Sequence, residues 1–290
     1  MKKACLIVFL FRQALLIGSI DSNFESYWYQ GAEISTYDLK QFRYGEQHSG
    51  HSVLLYVTEN FLGDLQVKHE SGPKVNLVPI LKLNHTKKFI TGIYPYSVLT
   101  STFHPLDQEQ PLKITGSIQE WCGHTWTQFN NRKDWIINTF SYFQEEGDQV
   151  SKLPMNWTEN GLWTLIRLSP KDLPVGFFGI IPSITALRFQ KLQTNSFLAE
   201  GSLIQNSRFL GVGSFYNEYR LSYKNLGRRL SLWFEPFFPY KIVGWRESYL
   251  DTDGNQVGES VATFKTSKTI NYWDLNKNKD RKNRKNLQLN

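Results

Sequence analysis

Residues 215–250 read FYNEYRLSYKNLGRRLSLWFEPFFPYKIVGWRESYL, and their alternation decides the fold class. In an extended chain, Phe215, Tyr219, Leu221 and Tyr223 share one face, and Glu218, Arg220, Ser222 and Lys224 share the other. That is a strand with one packed and one wet face. Leu230, Leu232 and Phe234 then alternate with Ser231, Trp233 and Glu235, and Tyr240 to Leu250 follows as another strand. Asp253-Gly254 is a two-residue hairpin signal, and Gly258 to Lys268 returns rich in Val, Thr and Phe. The C-terminal third is thus predicted to be a β-meander.

The same period continues upstream. Tyr27 to Phe42 is long and aromatic, and His51 to Thr58 holds a run (VLLYV) apolar enough to be buried on both faces. Leu77 to Asn84, Lys87 to Tyr94, Lys113 to Phe129 and Trp135 to Phe143 are further strands. One segment departs. In NGLWTLIRL at 160–168, Leu162, Leu165 and Ile166 recur at helical spacing before Ser169-Pro170 stops the run. The expected fold is mainly β, an antiparallel meander in one or two curled, half-barrel-like sheets with one short helix near 160–168. The expected division is 1–22 signal peptide, 23–150 and 151–275 as two β-rich halves or one continuous domain, and 276–290 a basic disordered tail.

Composition agrees. The chain has 290 residues, 40% hydrophobic and 20% charged, with 20 Phe, 14 Tyr and 9 Trp, and rings suit pleated surfaces. Its net charge of +7 is unevenly placed. Lys277, Lys279, Arg281, Lys282, Arg284 and Lys285 against Asp280 give the tail +5; Lys2, Lys3 and Arg12 give the first twenty residues +3. Subtracting both from +7 leaves −1 for residues 21–275. A nearly neutral body argues against a nucleic-acid partner, which calls for a basic face.

At the N-terminus, Met1-Lys2-Lys3 precedes the apolar run ACLIVFLF at 4–11, and ALLIGSI at 14–20 precedes small residues. This is the layout of a secretory signal, and neither run reaches the roughly 18 residues needed to span a bilayer. Export to the periplasm, with outer-membrane or peripheral membrane association, is the expected localisation. Cleavage would leave Cys122 as the lone cysteine, unable to form an internal disulfide.

The densest chemistry lies in EWCGHTWTQF at 120–129. On one strand, Cys122 and His124 share a face and make a thiol–imidazole candidate for catalysis, with Glu120 as orienter. Their separation of about 7 Å along a strand is long for direct proton transfer, and a small buried cysteine in an aromatic strand is the competing reading. WCGH lacks the second cysteine of a dithiol site, since Thr125 stands there. Asp251, Asp253 and Asn255 resemble the start of a calcium loop, but Gln256 and Ala262 replace its Gly and Glu. His48 and His51 are placed on a loop around Ser49-Gly50 without a third ligand. No metal and no cofactor are expected. Trp28, Trp121, Trp126, Trp233, Trp245 and Trp273 are too many for one small core. A curled sheet sheltering such rings could hold a lipid or glycan, with Trp121, Trp126, Trp233 and Trp245 as the binding candidates; a large aromatic core is the competing and favoured reading.

Six strings carry a family resemblance: YWYQGAEISTYDLKQFRYGE at 27–46, VPILKLNHTKKFITGIYPYSVLTSTF at 78–103, EWCGHTWTQ at 120–128, LWTLIRLSPKDLPVG at 162–176, FPYKIVGWRESYL at 238–250 and NYWDLNKNKD at 271–280. With them the chain resembles a family of exported bacterial proteins known under the label "septum formation inhibitor Maf". The resemblance implies an envelope protein, often with a lipoprotein-type N-terminus; here Ser19 stands in place of the lipid-bearing cysteine. It implies no established activity. True Maf proteins are α/β nucleotide pyrophosphatases with a Ser-Pro-Arg-Arg turn near the start; this chain has only Ser169-Pro170-Lys171, mid-chain. The function expected is a non-enzymatic envelope protein that binds a lipid, lipoprotein or other envelope component. The alternatives are a Cys/His-dependent envelope enzyme and, less favoured, a nucleotide pyrophosphatase.

Overall fold

The computed structural model describes residues 23–73, 75–211 and 213–289. The leader expected at 1–22 lies outside the described residues. The fold is mainly β: one large, curled, open sheet of sixteen strands with a few short helices. The first half contributes β1 (Ala32–Arg43), β2 (Glu46–Leu62), β3 (Val67–Lys68), β4 (Leu77–Thr91), β5 (Tyr94–Pro105), β6 (Lys113–Glu120), β7 (Gly123–Arg132), β8 (Asp134–Ser141) and β9 (Gln149–Leu153). The second contributes β10 (Trp157–Thr158), β11 (Gly176–Ile181), β12 (Phe197–Arg208), β13 (Phe215–Tyr223), β14 (Arg228–Phe234), β15 (Ile242–Leu250) and β16 (Gln256–Ile270).

The path across the sheet runs from β10 to β16, steps to β1, and continues through β2 and β4 to β9, with β3 attached to β2. Neighbours are antiparallel except β10 and β11. The two meanders are joined where β1 lies along β16, Ala32 opposite Ile270. The sheet's outermost strands, β9 and β10, are separated in sequence only by residues 154–156, so its two edges approach one another. There the Trp135 indole donates to the Asn156 carbonyl at 2.9 Å. Helix α3 (Ile184–Phe189) helps form a small cluster with Ile114, Phe129, Trp135 and Ile137 from the strands near this edge.

Helix α2 (Glu159–Leu168) runs inside the curl, and every residue from Glu159 to Arg167 is buried. Ser169-Pro170 ends it as the spacing predicts. Leu162, Trp163, Leu165 and Ile166 pack with Leu54, Tyr56, Leu221, Leu232 and Trp245 in the main core. The concave side is therefore filled by a helix.

The alternation holds in part at 215–250: Phe215 is exposed, Glu218 is buried, and β14 is buried on both faces, Ser231 and Trp233 included. Tyr219, Leu221, Tyr223, Leu230, Leu232 and Phe234 all face the core. Several boundaries differ from expectation. Tyr27 and Trp28 end a short helix, α1 (Phe24–Trp28), because the strand cannot start until Gly31, whose φ of 145° suits glycine. Leu77 to Tyr94 is mostly one long strand, and Lys113 to Phe129 is two strands folded at Trp121-Cys122. His48 and His51 lie on β2, not on a loop. The Asp253-Gly254 hairpin spans 251–255, closed by the Asp251 amide on the Asn255 carbonyl at 2.9 Å. In the tail, a 3-10 turn (Asn278–Lys282) leads into α4 (Asn283–Asn286), and Leu287 is buried. Leu275, Leu287 and Leu289 supply the apolar surface that a purely basic tail would lack.

Candidate functional site

The catalytic candidates Glu120, Cys122 and His124 lie in the hairpin β6–β7. Glu120 pairs with Gly123, so Trp121 and Cys122 form the turn itself and stand off the pleat of either strand. Cys122 is exposed, and it is neither buried in a strand nor on a shared strand face with His124. A Glu120 carboxylate oxygen accepts from the Cys122 amide at 2.6 Å. Hydrogen bonding to Glu120 and that residue's charge push the thiol's pKa up. Glu120 therefore disfavours the thiolate, the opposite of an activating orienter. His124 points outward from β7 and is exposed.

The four tryptophan candidates do not converge. Trp245 is core, packed on Tyr37, Trp163 and His85 with ring centroids 4.8–5.3 Å away. Trp233 is also buried, its indole donating to Ser207 Oγ at 3.0 Å and its ring resting on Phe209. Trp126 lies on the outer face of β7 at the margin of exposure. Only Trp121 joins a larger feature.

That feature is a rim. In an antiparallel meander alternate turns fall at the same end, which gathers the tips Tyr44-Gly45, Gly92-Ile93, Trp121-Cys122 and Tyr142-Phe143. Tyr44 (φ 54°) and Gly45 (φ 85°) make a two-residue turn with both central residues left-handed. Each tip presents a large apolar side chain: Tyr44 is 61% exposed, Ile93 82%, Trp121 69% and Tyr142 77%. The rings are continuous. Trp121 stacks on Tyr94 at 6.3 Å, the Tyr94 hydroxyl donates to the Tyr44 hydroxyl at 3.4 Å, and the Tyr44 and Tyr96 hydroxyls lie 2.8 Å apart. Tyr142 and Phe143 lean over Gly123, where an added Cβ would meet the Tyr142 ring at 2.7 Å. Arg43 lies over the Tyr44 ring at 4.6 Å and Arg188 over Phe143 at 3.8 Å.

Behind the rim the interior is charged and tightly held. At the C-terminal end of α2, Arg167 donates to both Glu33 carboxylate oxygens at 2.8 and 2.7 Å and to the Pro239 carbonyl at 2.7 Å. Tyr27 also donates to Glu33, and Arg167 lies over Trp28 and Tyr56. Burial alone would raise the Glu33 carboxyl, but the guanidinium outweighs it and holds the pKa at about 2.

At the N-terminal end, Glu159 accepts two bonds from Arg228, one at 2.8 Å, and one from Tyr223 at 2.7 Å; Arg228 also donates to Glu247 at 2.6 Å. Here too Arg228 overcomes burial and lowers the Glu159 pKa. Lys87 is buried beside this group, its pKa lowered by burial against the pull of Glu247. His85 is buried between Trp163 and Trp245 and kept neutral by burial and Lys87. A cavity of about 20 Å3 lies among Glu159, Arg228, Glu247, Lys87 and His85. It has room for about one water and none for an acyl chain.

None of these interior charges was singled out from the sequence. The available signal was polar residues at core positions: His85 and Lys87 share the inward face of β4 with Leu83 and Phe89, and Arg228 aligns with Leu230 and Leu232. Among the described residues no cluster of His, Cys, Asp and Glu is placed to hold a metal ion, and no helix is long and apolar enough to cross a membrane.

No family model matches the chain, and no curated protein matches it. Among solved structures it is similar to a β-barrel-like protein, a domain of unknown function (DUF1849) from Brucella abortus, with 8% identity, a TM-score of 0.48, and coverage of 83% of this chain and 98% of that one.

Proposed function

We propose that the protein is a non-enzymatic cell-envelope protein that binds an amphipathic partner, a lipid surface or lipoprotein, through the aromatic rim of its first meander. The observation that carries this reading is the rim itself: four adjacent hairpin tips, each with a large, exposed apolar side chain, with Tyr44, Tyr94 and Trp121 in contact along it. Tyrosine and tryptophan suit a boundary where one end of the ring is apolar and the other wet. A partner inside the curl, one expectation for the tryptophans, is disfavoured because α2 occupies that space and the cavity beside its N-terminal end is about 20 Å3. A Cys122 enzyme is disfavoured by the carboxylate that keeps its thiol protonated. The N-terminal run and the resemblance to exported proteins support a periplasmic or outer-membrane-associated location.

The test is co-sedimentation with phosphatidylethanolamine–phosphatidylglycerol vesicles, comparing wild type with Trp121→Ala/Tyr142→Ala. Wild type is expected to partition, and the double variant to lose about tenfold or more while its circular dichroism is unchanged. Absence of partitioning by wild type overturns the rim reading. Fractionation of host cells with intact-mass analysis tests the compartment; an unprocessed chain found only in the cytosol overturns it.

A further inference from the structure

The rim continues into a polar pocket beside its last tip. One bank is the β8–β9 turn, where Tyr142-Phe143 is followed by Glu145, Glu146 and, at the start of β9, Gln149. The other bank is the segment just past α3, Lys191 to Gln193. Between them lies a cavity of about 300 Å3, lined by Glu145, Glu146, Gln149, Lys191, Leu192 and Gln193. That volume is at the lower end of the range of about 300–1,000 Å3 typical of small-molecule sites.

Both banks are held in place. The Glu146 and Gly147 amides donate to the Phe143 carbonyl at 3.1 and 2.9 Å. Ser141 Oγ donates to a Glu146 carboxylate oxygen at 2.8 Å, and Gln149 Nε2 donates to the Glu146 carbonyl at 2.8 Å. Opposite, the Gln190 and Leu192 amides donate to the Ala186 and Leu187 carbonyls at 3.0 and 2.9 Å, and Leu192 packs on the small cluster around α3. Arg188 ties the pocket to the rim. Its guanidinium lies over the Phe143 ring at 3.8 Å and reaches Glu146 Oε1 at 3.0 Å.

The lining selects a class of ligand. All of it but Leu192 is polar. Each carboxylate has its own base: Lys191 Nζ lies 3.0 Å from Glu145 Oε2, and Arg188 faces Glu146. An anion would meet two carboxylates, and a cation would find both already neutralised. An alkyl chain would find one apolar side chain. A neutral molecule rich in hydroxyls fits what remains. The Glu145 and Lys191 side chains are 70% and 64% exposed, so their ion pair is weak in water and gives way to a ligand at little cost. The carboxylates accept from hydroxyls, and the ammonium and glutamine amides donate to them, the charged groups making the stronger bonds. Tyr142, on the same turn and 77% exposed, supplies a flat apolar surface for the C–H face of a sugar ring.

We propose that the pocket between the β8–β9 turn and the segment after α3 binds a neutral sugar, a mono- or disaccharide unit, free or as the head of a glycolipid. The proposal adds a ligand to the rim reading and does not depend on it, because a soluble sugar tests it without a lipid surface.

The experiment is saturation-transfer NMR titration of the full chain with maltose, lactose, mannobiose and diacetylchitobiose, repeated with Glu145→Ala/Gln193→Ala and with Lys191→Met. Wild type is expected to bind at least one of these sugars with a dissociation constant on the order of 1 mM, and the double variant to bind it about tenfold or more weakly. All three positions are exposed, and a thermal melt checks that each variant is folded. No saturable binding of any of the four sugars by wild type, or equal binding by folded variants, overturns the proposal. A second arm compares vesicles with and without glucosyl diacylglycerol. Stronger partition of wild type, but not of the double variant, onto the glycolipid vesicles assigns the sugar to a lipid head. Equal partition with a disaccharide still bound assigns it to a free saccharide. Disaccharide binding by a wild type that meets no vesicle removes the rim reading and leaves this one.

Discussion

The two ends of α2 are held by the same chemistry in different settings. Each end has a charged residue paired with an opposite charge from the surrounding sheet: Glu159 with Arg228 of β14, and Arg167 with Glu33 of β1. The signs also suit the helix dipole, acid at the N-terminus and base at the C-terminus. At the C-terminal end the pair is a closed unit, Glu33 and Arg167 each 1% exposed and surrounded by Tyr27, Trp28 and Tyr56. At the N-terminal end Arg228 has a second carboxylate, Glu247, and a second cation, Lys87, lies beside a small cavity. One end is a single buried ion pair, Glu33 with Arg167; the other shares its charge among four groups, Glu159, Arg228, Glu247 and Lys87. Breakage should therefore cost more at the first than at the second.

The largest effect is expected for Glu33→Gln, which leaves Arg167 buried without a counter-ion and should cost about 3–5 kcal/mol in urea unfolding. Glu159→Gln should cost less, about 1–3 kcal/mol, because Arg228 keeps Glu247. Equal losses would refute the contrast. Acid should act through the same pair. The Glu33 pKa is about 2 in the fold against 4.5 unperturbed, so its contribution is full above 4.5 and disappears as pH falls toward 2. An acid titration of Glu33→Gln stability should lack that part of the wild-type loss.

Lys87→Met is expected to act on the alkaline side. The folded pKa of Lys87 lies below its usual 10.5, so between the two the unfolded chain holds more protons and Lys87 makes stability rise with pH. Buried tyrosines with raised pKa values, Tyr56 and Tyr219 among them, pull the other way above pH 10. The informative quantity is thus the difference between wild type and variant, which should grow in favour of wild type as pH rises toward 10.5. A flat difference would place the ammonium in water. The smallest stability effect belongs to the rim: Trp121→Ala should stay within about 0.5 kcal/mol, measured by thermal melting, since the side chain is mostly exposed.

Much of this fold was readable from spacing alone. The two-residue period at Leu230, Leu232 and Phe234 and the helical spacing at Leu162, Leu165 and Ile166 each identify an element and its inward face. Spacing names a face but not the partner across it. Glu33 and Arg167 are 134 residues apart, and nothing local to either one announces the other. Lys87 and His85 were visible only as polar residues in core positions. EWCGHT misled for a local reason: a run of strand-type residues from 113 to 129 hides a tight turn that carries neither glycine nor proline at its two central positions, Trp121 and Cys122. The rim was half legible, since its rings were counted but not gathered; only the order of neighbouring hairpins brings them to one end.

The pairing of β1 with β16 also bears on how the chain is made. A ribosome delivers β1 early, yet one edge of that strand stays without its neighbour until Ile270 has emerged. Until then the nascent sheet has a long, unpaired border of β-branched and aromatic residues in the middle of its final arrangement, the kind of edge that invites the wrong partner. Joining the two meanders must await the emergence of β16, and contacts so distant along the chain make folding slow. The strand that joins the two halves is thus the last of the described strands to emerge.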